Sequence, residues 1–111
     1  MFAKPADEVK FVELYVENYF LSLPEESPIK KGIKRAIENI KKNAFSGEKI
    51  ERRLIPWVYI KKYGIDNLYW YPLPEGWRLV YSIATNKLQI IAVIIEFFNH
   101  KDYARRFGYK S

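Results

Sequence analysis

Four side chains in the last third of the chain have the types and the spacing of a phosphate-handling site. Arg78 lies in a strand-like segment, and His100, Tyr103 and Arg106 follow an apolar run at residues 88–98. The last three are separated by steps of three residues, so a helical tail would place them along one face. Imidazole changes its charge near neutral pH, and a planar guanidinium matches a phosphate through two parallel hydrogen bonds.

These groups suit the cleavage of an RNA phosphodiester by its own 2′-hydroxyl, without a metal ion. That reaction needs a base for the hydroxyl proton, cations for the charged phosphorane and an acid for the leaving 5′ oxygen. His100 and Tyr103 are candidates for the base and the acid, in either order, and Arg78 and Arg106 are candidates for the cations. We therefore predict these residues as the catalytic set of an endoribonuclease.

Two of these residues also have a purely structural interpretation. Arg78 could be a surface arginine that forms a salt bridge with Glu96 near the end of the neighbouring strand. His100 could be an ordinary polar surface residue, because a single histidine after a strand often has no chemical role.

The composition of the chain excludes several other kinds of site. Its 111 residues fit one domain, and 17% of them are aromatic, which indicates a globular protein. It has no cysteine and one histidine, so neither a disulfide framework nor a zinc site is expected. The first residues lack the build of a signal peptide, and no apolar run approaches the roughly 20 residues of a membrane span. We expect a cytoplasmic protein with no cofactor, no metal and no membrane partner.

Positive charge is concentrated in the middle of the chain. The net charge is +6, and residues 30–62 hold eleven Lys and Arg against three Glu. Such a block favours a polyanionic partner, although a solvated, lysine-rich helix face would have the same composition. The residues of the basic helix and the tail that we predict to bind RNA are Lys31, Lys34, Lys101 and Arg105.

Several aromatic residues could stack on unpaired bases of RNA. They are Tyr59, Tyr63, Tyr69, Trp70, Tyr71 and Trp77. Aromatic residues more often fill a small core, so we expect most of these to be buried and one or two to lie at the edge of the site.

The helices that would position these residues follow from the apolar periodicity. A short strand near Val9 runs into a helix that ends before Pro24, and a second helix begins at Ser27 and Pro28. The apolar stripe of this second helix consists of Ile29, Ile33, Ile37, Ile40 and Ala44. Residues 56–63 are predicted to form a short helix with a left-handed cap at Gly64.

The second half of the chain has the alternating pattern of strands, at residues 68–73, 77–84 and 88–98. The last run is apolar at both parities, which predicts a central strand covered on both faces, and residues 100–107 should form a short helix. We predict a single α+β domain over residues 1–111. Two N-terminal helices would pack on one face of a small, twisted antiparallel sheet, and a short C-terminal helix would follow it.

Several motifs surround the candidate residues. The strand at 76–83 reads Gly-Trp-Arg-Leu-Val-Tyr-Ser-Ile, and the tail at 100–103 reads His-Lys-Asp-Tyr. Upstream are Leu-Ile-Pro at 54–56, Tyr-Gly-Ile at 63–65 and Asn-Leu-Tyr-Trp-Tyr-Pro-Leu-Pro-Glu-Gly at 67–76. Together with the order of elements, these motifs resemble the RelE/ParE superfamily of toxins, and an archaeal, RelE-like branch of it in particular.

The resemblance implies a microbial-RNase-like RelE fold and the toxin half of a type II toxin–antitoxin pair. It also implies metal-independent mRNA cleavage in the ribosomal A site, which inhibits translation. In this comparison Arg78 matches an arginine on the strand, and His100 or Tyr103 matches a residue near the C-terminus. The implied partners are a cognate antitoxin protein and mRNA on the ribosome.

The strand before the hairpin turn departs from the family pattern, because RelE-type toxins often carry lysines there. This chain has Tyr69, Trp70, Tyr71 and Pro72 at those positions. The nearest replacements are Lys61 and Lys62, which complete the predicted RNA-binding set. Two alternatives therefore stay open. One is a non-enzymatic member of the fold, either a ParE-type gyrase inhibitor or an inactive antitoxin-binding module, and the other is a plain basic RNA-binding domain.

Overall fold

The computed structural model describes residues 3–108, which form a five-stranded sheet with helices on both faces. The strands are β1 (Glu8–Phe11), β2 (Glu48–Lys49), β3 (Tyr69–Pro72), β4 (Arg78–Thr85) and β5 (Ile90–Phe98). The helices are α1 (Leu14–Ser22), α2 (Pro28–Lys42), α3 (Trp57–Tyr63) and α4 (His100–Arg106), with 3-10 turns at Arg52–Leu54 and Pro74–Gly76. The α+β class, the two N-terminal helices and the short C-terminal helix are confirmed. No helix within residues 3–108 is long and apolar enough to cross a membrane.

The sheet is mixed, so the prediction of an antiparallel sheet is wrong for its first strand. The strand order is β1-β5-β4-β3-β2, and β1 pairs with β5 in parallel, whereas the other pairs are antiparallel. Tight hairpins force β3, β4 and β5 to alternate in direction. β1 joins the sheet from a distant part of the chain, and the alternation of its residues does not encode its direction.

The two N-terminal helices share one face of the sheet, as predicted, but α3 and α4 cover the other face, on which no helix was predicted. α1 and α2 pack on the face that carries Leu79, Tyr81 and Ile94. α3 and α4 pack on the opposite face, where Tyr59 and Tyr103 contribute to a second buried cluster. β5 is an interior strand with buried residues on both faces, as predicted, although β4 holds the middle position of the sheet.

α2 begins where the sequence predicts. The Ser27 Oγ accepts hydrogen bonds from the backbone N–H groups of Ile29 (3.2 Å) and Lys30 (3.3 Å), and Pro28 occupies the first position. In the predicted apolar stripe Ile37 is partly buried, and the other four members are buried. The helix is therefore oriented by its apolar stripe, which packs on the sheet.

Lys30 is an exception to the solvent-facing basic side of α2, because only 4% of it is exposed. Its Nζ donates to the carbonyl oxygens of Leu21 (3.3 Å) and Leu23 (3.0 Å) and to Glu25 Oε1 (2.6 Å). The bonds to the carbonyls satisfy acceptors at the C-terminal end of α1, which the helix itself leaves unpaired. Lys30 thus joins α1 to α2.

Glu25 should make the stability of this joint depend on pH. Hydrogen bonds from Lys30 and Lys34 lower the pKa of Glu25 in the folded protein. The unfolded chain, with an ordinary pKa of about 4.3, therefore takes up a proton first as the pH falls, and the stabilisation is lost below that pH. We expect Glu25→Gln to destabilise the protein at pH 7 and to have a smaller effect at pH 3, as measured by denaturant unfolding. The matched control is Glu26→Gln, whose only ion pair among the described residues is a 3.6 Å contact with Lys31.

A bulge in β5 turns Glu96 toward α3 and α4. Val80 of β4 lies opposite Glu96 and Tyr81 lies opposite Ile94, so Ile95 is the extra residue between them. Ile95 belongs to the buried cluster beneath α3 and α4, and Glu96 contacts side chains of both helices. Because of the bulge, the consecutive residues Ile95 and Glu96 both contact side chains on the face that α3 and α4 cover.

Two helix ends near the site are capped, and the first of them, at Gly64, was predicted from the sequence. Gly64 caps α3 with a φ of 66°, a left-handed conformation that favours glycine. At the start of α4, the Asn99 Oδ1 accepts a hydrogen bond from the backbone N–H of Asp102 (2.8 Å). This cap sets the position at which the tail turns away from β5.

Candidate functional site

Arg78 is held by aromatic contacts at the end of the sheet. It is the first residue of β4 and lies opposite Phe98 of β5. Its guanidinium carbon is 4.1 Å from the ring centroid of Trp70 and 4.5 Å from that of Tyr103. Within residues 3–108 Arg78 forms no ion pair, so the alternative bridge to Glu96 is absent, and Glu96 binds Arg106 instead. The aromatic contacts orient a guanidinium whose N–H groups have no carboxylate partner in this part of the chain.

Tyr103 packs in the interior of the face that α3 and α4 cover. It is 3% exposed, and its ring stacks on Phe107 at 4.4 Å and meets the edge of Phe98 at 5.6 Å between centroids. The ring therefore anchors α4 on the sheet and also supports Arg78. This packing accounts for the burial of Tyr103 and does not itself test a catalytic role for its hydroxyl.

Arg106 is bound to a carboxylate of its own chain. Its Nε donates to Glu96 Oε1 at 2.9 Å, and a terminal nitrogen donates to Oε2 at 3.3 Å. The hydroxyl of Tyr59 donates to the same carboxylate. The hydrogen bond with Glu96 raises the pKa of Arg106, and burial, reinforced by Glu96, raises the pKa of Tyr59. The three side chains join α3, β5 and α4, so Arg106 contributes to the geometry of the site before any substrate is present.

His100 lies at the same end of the sheet as Arg78. It is the first residue of α4 and is exposed, and it follows Phe98, the residue opposite Arg78, by two positions. The structure thus places Arg78, His100, Tyr103 and Arg106 around one strand end, which we name the Arg78–His100 edge. Arg78 and Tyr103 are in contact, Arg106 is paired with Glu96, and His100 faces solvent.

A groove of about 430 Å³ opens beside this edge, between α1 and the corner where β5 meets α4. Its lining includes Tyr15, Tyr19, Trp77, Phe97, Asp102 and Arg106. The rings of Tyr19 and Phe97 stack with their centroids 4.8 Å apart, and both residues line the groove. Asn99, which precedes His100, and Asp102, which follows it by two positions, both line the groove.

Most of the predicted RNA-binding residues have acidic partners in the chain. The ion pairs are Lys31–Glu26 (3.6 Å), Lys34–Glu25 (3.1 Å), Lys62–Glu13 (2.9 Å) and Arg105–Asp102 (3.5 Å). Lys61 and Lys101 are exposed and form no ion pair with any residue in the described range. Within this predicted set the pairing leaves only Lys61 of α3 and Lys101 of α4 without an acidic partner in the described range, although Arg35, Lys41 and Lys42 of α2 are also exposed and form no ion pair there.

Two of the six aromatic residues are buried, fewer than the sequence predicts, and the other four are partly buried against the two core clusters. Tyr59 and Tyr69 are buried, Trp70 contacts Arg78, and Trp77 lines the groove. The sequence-based selection missed Trp57, which is 70% exposed on α3. A signal was present in the helical spacing, because Trp57 precedes Lys61 by four residues and shares its outward face.

Comparison with known proteins assigns no family to the chain. No family model, curated protein or solved structure matches it. Between residues 3 and 108, no three His, Cys, Asp or Glu side chains are grouped in a way that could hold a metal ion.

Proposed function

We propose that this protein is a RelE-like toxin of a type II toxin–antitoxin pair that cleaves mRNA on the ribosome without a metal ion. The observation that carries the proposal is the placement of Arg78, which contacts Trp70 and Tyr103 and lies opposite Phe98, two residues before the exposed His100. A held guanidinium and an exposed imidazole at one end of the sheet supply the cation and the proton carrier that cleavage of a phosphodiester needs. A cognate antitoxin would be its protein partner.

In this proposal the reaction needs only the His100 imidazole and the Arg78 guanidinium. The His100 imidazole takes the proton of the 2′-hydroxyl, and the 2′ oxygen then attacks phosphorus. Arg78 stabilises the added negative charge of the phosphorane. The bond to the 5′ oxygen breaks, the proton returns from His100 to that oxygen, and a 2′,3′-cyclic phosphate remains. Tyr103 and Arg106 are positioning residues, since one supports Arg78 and the other binds Glu96.

A second candidate, favoured by the ion pairs, is a non-enzymatic member of the same fold. Arg106 and most of the predicted RNA-binding residues are paired with acids of the chain. β3 also carries no lysine. A protein with this surface could inhibit gyrase or bind an antitoxin without cutting RNA.

Mapping of mRNA ends separates the two candidates. The full chain is added to translating ribosomes, and new 5′ ends are located by primer extension, with a DNA supercoiling assay run in parallel. New ends inside codons, formed only when ribosomes are present, are the expected result. Inhibition of supercoiling without new ends would contradict the enzymatic proposal and support gyrase inhibition.

Arg78→Lys tests the role of the guanidinium fork. Lysine keeps the charge but cannot form two parallel hydrogen bonds with a phosphate. Because one hydrogen bond to a charged group is worth about 1.5 kcal/mol, we expect cleavage to slow about tenfold. The rate is measured from the appearance of the mapped ends in a time course. An unchanged rate would show that Arg78 supplies charge only, or that it does not contact the substrate.

A further inference from the structure

Trp57 is exposed on α3 in a way that core packing does not explain. It is 70% exposed, whereas Tyr59, two residues later on the same helix, is 2% exposed. A tryptophan ring carries a large apolar surface, so leaving it in water forgoes considerable stabilisation. Val58 beside it is also exposed, at 42%. The outer face of α3, made of Trp57, Val58, Lys61 and Lys62, is therefore an aromatic surface flanked by lysines.

The charge around this face favours a polyanion. Residues 51–63 contain four basic residues and one acid, Glu51. Arg53 is paired with Glu51 at 2.9 Å and Lys62 with Glu13 at 2.9 Å. Arg52 and Lys61 form no ion pair with residues in the range 3–108. Lys61 lies one helical turn from Trp57, within reach of a phosphate attached to a nucleotide stacked on the indole ring.

We propose that Trp57 is a stacking platform for an unpaired base of single-stranded RNA, with Lys61 binding the adjoining phosphate. The occupant is RNA because a flat aromatic ring beside unpaired cations matches a nucleotide in both of its parts. An acidic protein segment could pair with Lys61, but its carboxylates would make no use of the flat indole ring of Trp57. This inference deepens the proposed function, on which it rests for its choice of substrate class.

The position of α3 relative to the Arg78–His100 edge supports a shared substrate. α3 and α4 lie on the same face of the sheet, and the rings of Tyr59 and Phe107 are 6.4 Å apart. The Tyr59 hydroxyl and Arg106 share the carboxylate of Glu96. Lys101 on α4 adds another exposed cation without an ion pair in the described range. α3 therefore lies beside the C-terminal end of α4, about two helical turns from His100.

The test measures binding of a short single-stranded oligoadenylate to the full chain, without ribosomes, by fluorescence anisotropy of labelled RNA. We expect Trp57→Ala to weaken binding about tenfold. Trp57→Phe should retain most of the affinity, because a smaller ring still stacks, while Trp57→Leu should lose it. Lys61→Gln should reduce the slope of log affinity against log salt by about 0.7. Leu88→Ala is the matched control, since Leu88 is 89% exposed in the loop at the other end of β5.

Three outcomes would overturn the inference. The first is equal affinity of Trp57→Ala and the unsubstituted chain, and the second is an equal loss in Leu88→Ala. The third is self-association of the chain through Trp57, seen by sedimentation, with no effect of the substitution on RNA binding. The binding of oligoadenylate is measured without ribosomes, so it does not depend on the cleavage assay. A failure to cut mRNA on ribosomes would contradict the proposed function and leave this binding result intact. Normal cleavage with unchanged affinity in Trp57→Ala would contradict only the inference about Trp57.

Discussion

Replacement of His100 with alanine is expected to slow ribosome-dependent mRNA cleavage by on the order of 10²–10⁴-fold. In the proposed reaction the imidazole takes the 2′-hydroxyl proton and returns it to the 5′ oxygen, so after its removal both proton transfers depend on water. His100 is exposed at the start of α4, and the helix is capped by Asn99. The substitution should therefore leave the fold intact, and unfolding in denaturant should confirm this.

Chemical rescue distinguishes a catalytic imidazole from a residue that only contacts RNA. Added imidazole should restore part of the cleavage rate of His100→Ala, because the exposed position leaves room for a small base. Lys87→Ala is the control for a general loss of surface charge. Lys87 is exposed in the loop that precedes β5, whereas His100 follows the other end of that strand. Cleavage by His100→Ala at the normal rate would refute the catalytic assignment. Reduced cleavage that imidazole does not restore would indicate a binding contact.

The order and type of the helices and of the longer strands are well encoded because each depends on local periodicity or on a cap, whereas the two-residue strand β2 was not predicted. The stripe of α2 and the start at Ser27 follow from helical spacing and capping chemistry, and both are present in the structure. The direction of β1 in the sheet, by contrast, could not be predicted from the sequence. Its four residues, 8–11, pair with residues 91–94 of β5, which are far away in the sequence. Side chains alternate between the two faces in the same way in parallel and antiparallel strands, so the alternation does not reveal the direction. The placement of α3 and α4 on the second face likewise depends on tertiary packing.

The partners of the charged residues are the least predictable part of the site. Arg78 and Glu96 lie on neighbouring strands, which suggests an ion pair from sequence alone. The bulge at Ile95 and the cap at Asn99 instead bring Arg106 to Glu96, and Arg78 contacts Trp70 and Tyr103. The Arg106–Glu96 pair and the contact between Arg78 and Tyr103 both depend on where α4 packs on the sheet, and residue spacing does not specify that position. Spacing does account for the proximity of His100, Tyr103 and Arg106 on α4.

Tyr103→Ala is expected to destabilise the protein by about 3–5 kcal/mol, the range for removing a buried aromatic ring. The ring is 3% exposed and packs on Phe98, Phe107 and Arg78, so its loss leaves a cavity beneath α4. Denaturant unfolding measures the change. Cleavage should fall as well, because Arg78 loses one of its two aromatic supports. A cost below about 1 kcal/mol would show that α4 does not depend on this ring.

Tyr103→Phe then separates the ring from the hydroxyl. Phenylalanine keeps the packing on Phe107 and the contact with Arg78, so stability should change by less than about 1.5 kcal/mol, the net value of one hydrogen bond. If Tyr103 is a positioning residue, Tyr103→Phe should also restore most of the cleavage that Tyr103→Ala loses. A stable Tyr103→Phe variant that cuts as slowly as His100→Ala would instead identify the hydroxyl as the acid for the 5′ oxygen. The buried position of the ring favours the first result, because a proton donor must reach the leaving oxygen.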